Sequence, residues 1–229
     1  MELERFLSEE DKQRVNDAVV EAEKGTSAEI VPVLTDASGS YDRGEDLFGM
    51  LCAVVAVIIA WSLFQKADPT APWSTPENPV LHYSLPHVIV TMIAAFIVGV
   101  VLASRLWFIR YLFTSRAEMI DCVRRGADVA FHRLGIRRTK DATGVLIYVS
   151  VFEHMVHVVG DGAVAEVLTE DDYAAVRDAV IDGFRRGDRV GGLCAGIAEA
   201  GNRLSAVLPK PEGNEDELPN ELVVLQQNL

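Results

Sequence analysis

The chain has 229 residues and a mass of 25.1 kDa, the size of one ordinary domain or of a smaller domain with an addition. Apolar residues make up 49% of it and charged residues 24%, which excludes a wholly disordered chain. The formal net charge of −13 argues against nucleic acid as a partner, because no basic surface is available to replace phosphate counterions. The three cysteines form no C-x-x-C motif or His/Cys cluster, so we expect neither a disulfide framework nor a structural zinc site.

Residues 1–46 are an acidic flank that is predicted to contain a helix and then a strand. Ser8 followed by Asp11 is typical of a capping box that starts a helix, and Gly25 is a natural stop. The segment 28–35 is apolar on both faces, which favours a strand covered on both sides. Pro32 removes one backbone donor from it, so we expect this strand near a sheet edge or at a bulge.

Residues 47–113 differ sharply in charge from both flanks, and they predict a transmembrane hairpin. Two uncharged runs would each span roughly 27–30 Å as helices, which matches the hydrocarbon core of a bilayer. We place the spans at about 47–64 and 87–106, joined by a proline-rich polar loop. The alternative is a pair of buried helices in a soluble protein, but buried helices usually show a polar face, whereas these runs are apolar all round.

Basic residues near the helix ends predict the orientation of the hairpin. Arg43 precedes the first span and the loop offers only Lys66, whereas Arg105 lies at the end of the second span and four arginines follow it: Arg110, Arg116, Arg124 and Arg125. The positive-inside rule then places both termini in the cytoplasm. The 46 residues before the first span lack the apolar stretch of a signal peptide. We therefore expect a multi-pass protein of the inner (plasma) membrane, whose partners are the lipid bilayer and other membrane proteins.

Residues 114–209 are predicted to contain three helices and two strands. The first helix ends at Gly135, and the apolar run 144–150 predicts a central strand that returns antiparallel through 155–159. Thr169 with Asp172 starts the next helix, and Asp188 caps the last one, which ends before Pro209. Residues 210–229, rich in Asn and Glu, are predicted to be an acidic flexible tail.

This order of elements predicts an α/β fold. A strand, a helix and a further strand imply a right-handed parallel crossover with helices covering the sheet. The hairpin interrupts that crossover. We therefore expect residues 1–46 and 114–209 to form a single α/β domain in two parts.

Three stretches resemble the TPM domain family, and more closely its bacterial membrane branch, in which a transmembrane hairpin splits the domain. They are residues 28–41, residues 124–161 and the Asn-Glu-Leu at 220–222, with 139–154 the most specific part. The resemblance implies an α/β/α sandwich with a small mixed sheet. Some members are linked to photosystem repair, receptor modulation or acid phosphatase activity. Family domains often face away from the cytoplasm behind a signal peptide, and this chain departs from that pattern.

Polar residues follow both predicted parallel strands, where ligands bind in open α/β sheets. They are Thr35, Asp36 and Ser38 after the first strand, and Ser150, Glu153 and His154 after the second. Asp36, Glu153 and His154 are the candidate ligands of a Ca²⁺ or Mg²⁺ ion. In the alternative interpretation, Asp36 and Ser38 cap a turn while Glu153 and His154 decorate a hairpin.

Other polar groups give weaker hypotheses. Asp141 and Asp161 bracket the two antiparallel strands and could form a rival cluster, although Asp161 lies between glycines that favour a tight turn. The basic cluster of Arg137, Arg138 and Lys140 could meet phosphate or lipid headgroups, or be a solvated loop.

Two further patterns point to structure rather than chemistry. His157, in the middle of a predicted strand, is interpreted as a sheet-face residue. Small residues at four-residue spacing on the last helix, Gly192, Gly196 and Ala200, predict close packing onto a neighbouring element.

The leading functional hypothesis is a membrane-anchored, non-catalytic TPM module that binds or assists other membrane proteins. It rests on the resemblance and on the absence of a defensible Ser/His/Asp or Cys/His arrangement in the sequence. The alternatives are a divalent-metal-dependent, phosphatase-like hydrolase using Asp36, Glu153 and His154, and a structural oligomer held together by its spans. The sequence leaves enzymatic activity open and favours its absence.

Overall fold

A computed structural model describes residues 7–68, 73, 80–81, 83–139, 141–211 and 217–226. The helices are α1 Glu9–Glu23, α2 Asp42–Phe64, α3 Leu85–Arg105, α4 Trp107–Phe113, α5 Arg116–Arg133, α6 Gly162–Val167, α7 Glu170–Arg185 and α8 Arg189–Val207. The strands are β1 Glu29–Thr35, β2 Ala67–Asp68, β3 Val80–Leu81, β4 Gly144–Ser150, β5 Met155–Gly160 and β6 Val223–Leu225. The chain divides into two compact units: unit 1 is Met1–Ser40 with Arg116–Leu229, and unit 2 is Tyr41–Ser115.

A small mixed sheet forms the centre of unit 1, with strand order β5-β4-β1-β6. β1 runs parallel to β4, so that Thr35 lies opposite Ser150, and β5 returns antiparallel to β4. The predicted parallel pair and antiparallel return are both present. β6 pairs with β1 only at Val33–Thr35. Pro32 therefore lies just outside that pairing, where no described strand requires its missing N–H.

Helices cover both faces of this sheet, because β1 and β4 are apolar on both faces and must be covered on both. One face packs against α1, α7 and α8 through a core that includes Val19, Ile30, Ile147, Val180, Leu193 and Ile197. The other face packs against α5 through a core that includes Val33, Val123, Ala127, Phe131, Leu146 and Tyr148. Unit 1 is therefore an α/β/α sandwich, as expected.

Helix starts in unit 1 follow the predicted capping residues. The Ser8 hydroxyl accepts from the Asp11 N–H at 3.1 Å, and the Asp11 carboxylate accepts from the Ser8 N–H at 3.1 Å. Thr169 and Asp172 make the same reciprocal pair at the start of α7. These bonds satisfy backbone donors that a helix leaves unpaired at its first turn.

Close packing of α7 against α8 depends on glycines. A Cβ atom at Gly192 would lie 2.8 Å from the Val180 carbonyl oxygen and 3.0 Å from the Gly183 Cα atom. A Cβ atom at Gly196 would lie 2.2 Å from a Val180 methyl group. The small-residue pattern on the last helix thus permits a close helix crossing, as predicted.

The prediction of a flexible tail at 210–229 is wrong for its last described part. Val223–Leu225 forms β6, and Leu222 beside it is buried. The Leu222 N–H donates to the Asn16 side chain at 2.9 Å. The acidic and amide residues around this short apolar run dominate the average composition, which hid the strand.

Unit 2 contains two long apolar helices, α2 and α3, at positions close to the predicted spans. α2 begins at Asp42 rather than 47, and α3 covers Leu85–Arg105 rather than 87–106. Both are long and apolar enough to cross a membrane. The prolines Pro69, Pro72, Pro76 and Pro79 of the predicted loop lie outside the described residues.

Glycines bring α2 and α3 together. A Cβ atom added at Gly99 would lie 2.8 Å from the Gly49 Cα atom and 2.9 Å from the Cys52 Cβ atom. Near the start of α2, the half-buried guanidinium of Arg110 donates to the Glu45 carboxylate and pairs with its charge. Unit 2 also contains elements that the sequence did not predict: α4, and the short antiparallel pair of β2 and β3.

Candidate functional site

A buried network of four polar side chains lies at the carboxyl ends of β1 and β4. The Ser38 N–H donates to one Glu153 carboxylate oxygen at 2.7 Å, and the Ser150 hydroxyl donates to the other. The Ser38 hydroxyl donates to the Ser150 oxygen at 2.8 Å and lies 3.1 Å from the Tyr148 hydroxyl. We call Ser38, Tyr148, Ser150 and Glu153 the strand-end network.

Backbone geometry brings these side chains together. β1 and β4 are neighbours in parallel register, so the segments that follow them emerge at one edge of the sheet. Val151 and Phe152 continue this pairing by donating their N–H groups to the Thr35 and Asp36 carbonyl oxygens, at 3.0 and 2.9 Å. The chain then turns into β5 through His154, which adopts a left-handed conformation with φ +52°. This turn directs the Glu153 carboxylate inward, where it has no exposed surface.

Tyr148 belongs to this network, although the sequence did not single it out. It is 2% exposed, and its burial raises the pKa of the phenol above the usual value, with the nearby Glu153 and Asp36 charges acting in the same direction. Gly126 of α5 gives the phenol its space, since a Cβ atom there would lie 2.6 Å from the hydroxyl oxygen. The alternation of side chains along a strand could have revealed the residue, because Tyr148 and Ser150 share a face of β4.

A cleft of about 440 Å³ opens beside the network. Its lining includes Ser38 and Tyr148, together with Arg125 and Arg133 of α5. Of the described residues that line it, none is acidic. Hydroxyl groups and guanidinium groups therefore face the same space, an arrangement suited to binding polar or anionic groups.

The three candidate metal ligands occupy different environments. Glu153 is buried and accepts the bonds described above, Asp36 is buried and accepts from the Ala37 N–H at 2.9 Å, and His154 is exposed. Across the part of the chain that the structure describes, no three His, Cys, Asp or Glu side chains are grouped to hold a metal ion. A Ca²⁺ or Mg²⁺ site at Asp36, Glu153 and His154 stays a prediction.

The rival groups lie elsewhere in unit 1. Asp161 is the N-cap residue of α6, and one of its oxygens lies 3.8 Å from the Arg137 guanidinium. Asp141 is exposed, and Lys140 lies outside the described residues. His157 lies in β5, opposite Tyr148 in the register. Burial lowers the pKa of His157, and the charge of Arg124 lowers it further.

These observations define a class of protein: an α/β/α sandwich with a buried polar network at the ends of its strands. The profile of the TPM domain matches residues 109–203. This match covers less than half of the chain, and the resemblance found in the sequence is confirmed over these residues.

One solved structure resembles the whole chain in fold. It is the NMR structure of the BA42 protein from the psychrophilic bacterium Bizionia argentinensis, with a TM-score of 0.56 and 22% sequence identity, covering 96% of each chain. At this identity, the likeness concerns the fold. No curated protein matches the chain.

Proposed function

We propose that this protein is a TPM-domain protein anchored in a membrane by α2 and α3, and that unit 1 acts as a non-catalytic binding or accessory module for other membrane proteins. The observation behind the anchor is the apolar surface of unit 2. Large apolar side chains are exposed along both helices, among them Met50, Val54, Ile58 and Leu63 of α2 and Val90, Ile93, Ile97 and Val101 of α3. Soluble monomers rarely expose a continuous apolar surface of this kind.

Helix length supports the same proposal. At about 1.5 Å per residue, helices of 23 and 21 residues measure roughly 32–35 Å, against about 30 Å for the hydrocarbon core of a bilayer. The charges of α2 are confined to its first turns, and Glu45 there is paired with Arg110. We place both termini in the cytoplasm, because the arginines cluster outside the loop between the helices.

The strand-end network supports a binding role more than a catalytic one. Both Glu153 oxygens accept hydrogen bonds from the protein itself, and the Ser38 and Ser150 hydroxyls are bonded to each other. The Glu153 carboxylate is therefore already engaged in holding together the segments that follow β1 and β4. These bonds fix the shape of the strand-end surface, and a fixed surface suits recognition.

Membrane insertion and orientation are tested by labelling in inverted and right-side-out vesicles. Cys52, Cys122 and Cys194 are replaced by alanine, and single cysteines are introduced by Trp73→Cys in the loop and Asn202→Cys in α8. A membrane-impermeant maleimide is expected to label Trp73→Cys in right-side-out vesicles and Asn202→Cys in inverted vesicles. Removal of the protein from vesicles by alkaline carbonate, or labelling of both positions from the same side, would overturn this arrangement.

The non-catalytic role is tested by hydrolysis of a chromogenic phosphate ester in detergent, with and without Ca²⁺ and Mg²⁺. We expect no hydrolysis above the background rate for the parent or for Asp36→Asn. Turnover by the parent that depends on a divalent ion and is lost in Asp36→Asn would favour the metal-dependent hydrolase instead.

A further inference from the structure

A second cleft in unit 1, of about 470 Å³, lies between the β4–β5 turn and α7. Its floor is apolar and includes Val149, Val156, Ile181 and Phe184. Three guanidinium side chains line it as well, from Arg116 at the start of α5, Arg185 at the end of α7 and Arg189 at the start of α8, together with His154. We call this the arginine cleft. An apolar floor beside several cations fits a ligand that is itself part apolar and part anionic.

The charge of the arginine cleft is opposite to that of the chain. The protein carries 34 acidic and 21 basic residues, yet none of the described residues that line this cleft is acidic. Arg185 has an acidic neighbour, Asp182, at 3.6 Å, but both side chains are largely exposed. Exposed pairs of this kind are weak, so Arg185 can turn to a ligand at little cost. Arg116, which also lines the cleft, donates to the Glu153 carbonyl oxygen at 3.5 Å.

We propose that the arginine cleft binds the headgroup of an acidic phospholipid. The headgroup phosphate meets the planar guanidinium groups, which suit phosphate oxygens, and the first part of the acyl chains lies on the apolar floor. This inference rests on the proposed membrane anchoring, which brings lipid to unit 1: Arg116 is the residue at which the chain re-enters unit 1 from the apolar helices. The lipid would tie the domain to the bilayer surface.

Binding is measured with the full-length protein in a neutral detergent, so that the result does not depend on insertion of α2 and α3. Short-chain phosphatidylglycerol is titrated while thermal unfolding is followed, with phosphatidylcholine of equal chain length as the comparison. Phosphatidylglycerol is expected to raise the unfolding midpoint in a saturable way, and phosphatidylcholine is expected to leave it unchanged. No shift with phosphatidylglycerol would overturn the proposal and leave the membrane anchor untouched.

Variants locate the binding. Arg116→Gln, Arg185→Gln and Arg189→Gln are each expected to weaken binding about fivefold, and the triple variant about a hundredfold. The matched control is Arg177→Gln, since Arg177 also lies on α7 beside an aspartate, Asp178, but does not line the cleft. Unchanged binding by the triple variant would place the lipid elsewhere and contradict the proposal. Glycerol phosphate matching the lipid in affinity would show that the ligand is a free phosphate compound, which also contradicts it.

Discussion

Glu153 has no exposed surface, and both of its carboxylate oxygens accept hydrogen bonds from groups on the β1 and β4 loops. Burial of a carboxylate without hydrogen-bond partners is strongly unfavourable, so Glu153 can be buried here only because these bonds are made. The consequence is local order: the residue fastens Ser38, which follows one strand, to Ser150, which ends the other.

Replacement of Glu153 should show how far the strand-end network stabilises unit 1. In Glu153→Gln, the side-chain NH₂ group faces one of the two donors, so one bond is lost and a buried donor stays unsatisfied. We expect the free energy of unfolding to fall by about 1–3 kcal/mol. Urea unfolding measures this, with Glu166→Gln at an exposed position of α6 as the control, expected within about 0.5 kcal/mol of the parent. Equal stability of the two variants would contradict a structural role.

His157 should make the stability of unit 1 depend on pH. Its pKa in the folded protein is lowered by burial first and by Arg124 second, with Asp128 opposing them. Below the ordinary value of 6.5, the unfolded chain therefore binds a proton that the folded chain does not, and stability falls as the pH drops through 6.5. His157→Gln should flatten the dependence of the unfolding free energy on pH between about pH 7 and pH 5, relative to the parent. Parallel profiles for the parent and His157→Gln would refute this assignment.

Elements of unit 1 meet where glycines allow it. The α7–α8 crossing leaves no room for a side chain at Gly192, whose added Cβ atom would lie 2.8 Å from a carbonyl oxygen of α7. Gly162, at the start of α6, has no atom within 4 Å of an added Cβ, and its backbone is ordinary. Close helix packing therefore requires a glycine at position 192, whereas the space around Gly162 would admit a larger residue.

Paired alanine substitutions test this difference. Gly192→Ala is expected to destabilise unit 1 by about 1–3 kcal/mol, because the helices must separate to admit the methyl group. Gly162→Ala is expected to stabilise by roughly 0.4–1 kcal/mol, because it restricts the unfolded chain without a clash. Thermal and urea unfolding of both variants give the comparison. Stabilisation by Gly192→Ala would show that the crossing is looser than described.

Local signals predicted most elements of the fold, and failures occurred where an element depends on distant partners or is too short to show a periodic pattern. Ser8 with Asp11 and Thr169 with Asp172 mark helix starts within four residues, and the apolar run 144–150 predicted β4 with its bounds. β6 was missed because three residues form a strand only when β1 offers them an edge. α4 and α6 were missed because helices of seven and six residues show too little periodicity.

The candidate site was predicted in part for the same reason. The rule that polar residues gather at the ends of parallel strands brought Ser38, Ser150 and Glu153 into one prediction, and the structure places them within hydrogen-bond distance. Which groups bond to which could not be predicted, because that depends on the inward turn after β4. Tyr148 and the arginine cleft were missed, since the arginines come from the ends of three helices that only the fold brings together.

At the scale of the whole molecule, both hydrophobic cores described for unit 1 are built from residues of that unit. Unit 1 should therefore fold without the apolar helices. We expect a chain in which residues 41–115 are replaced by a flexible Gly/Ser linker to be soluble and to unfold cooperatively in urea. Retained dispersion of methyl signals in NMR spectra is the measurement. A collapsed state without fixed tertiary packing would show that unit 1 requires the hairpin.

The interrupted sheet also has a consequence for the order of events during translation. β1 ends at Thr35 and its neighbour β4 begins only at Gly144. At about 5–20 residues per second, a ribosome needs roughly 5–20 s to synthesise the intervening chain. For that time the apolar β1 has no neighbouring strand, while the apolar helices α2 and α3 are synthesised. The proposed anchor is thus synthesised before the domain can close, and a chaperone that shields β1 has a defined interval in which to act.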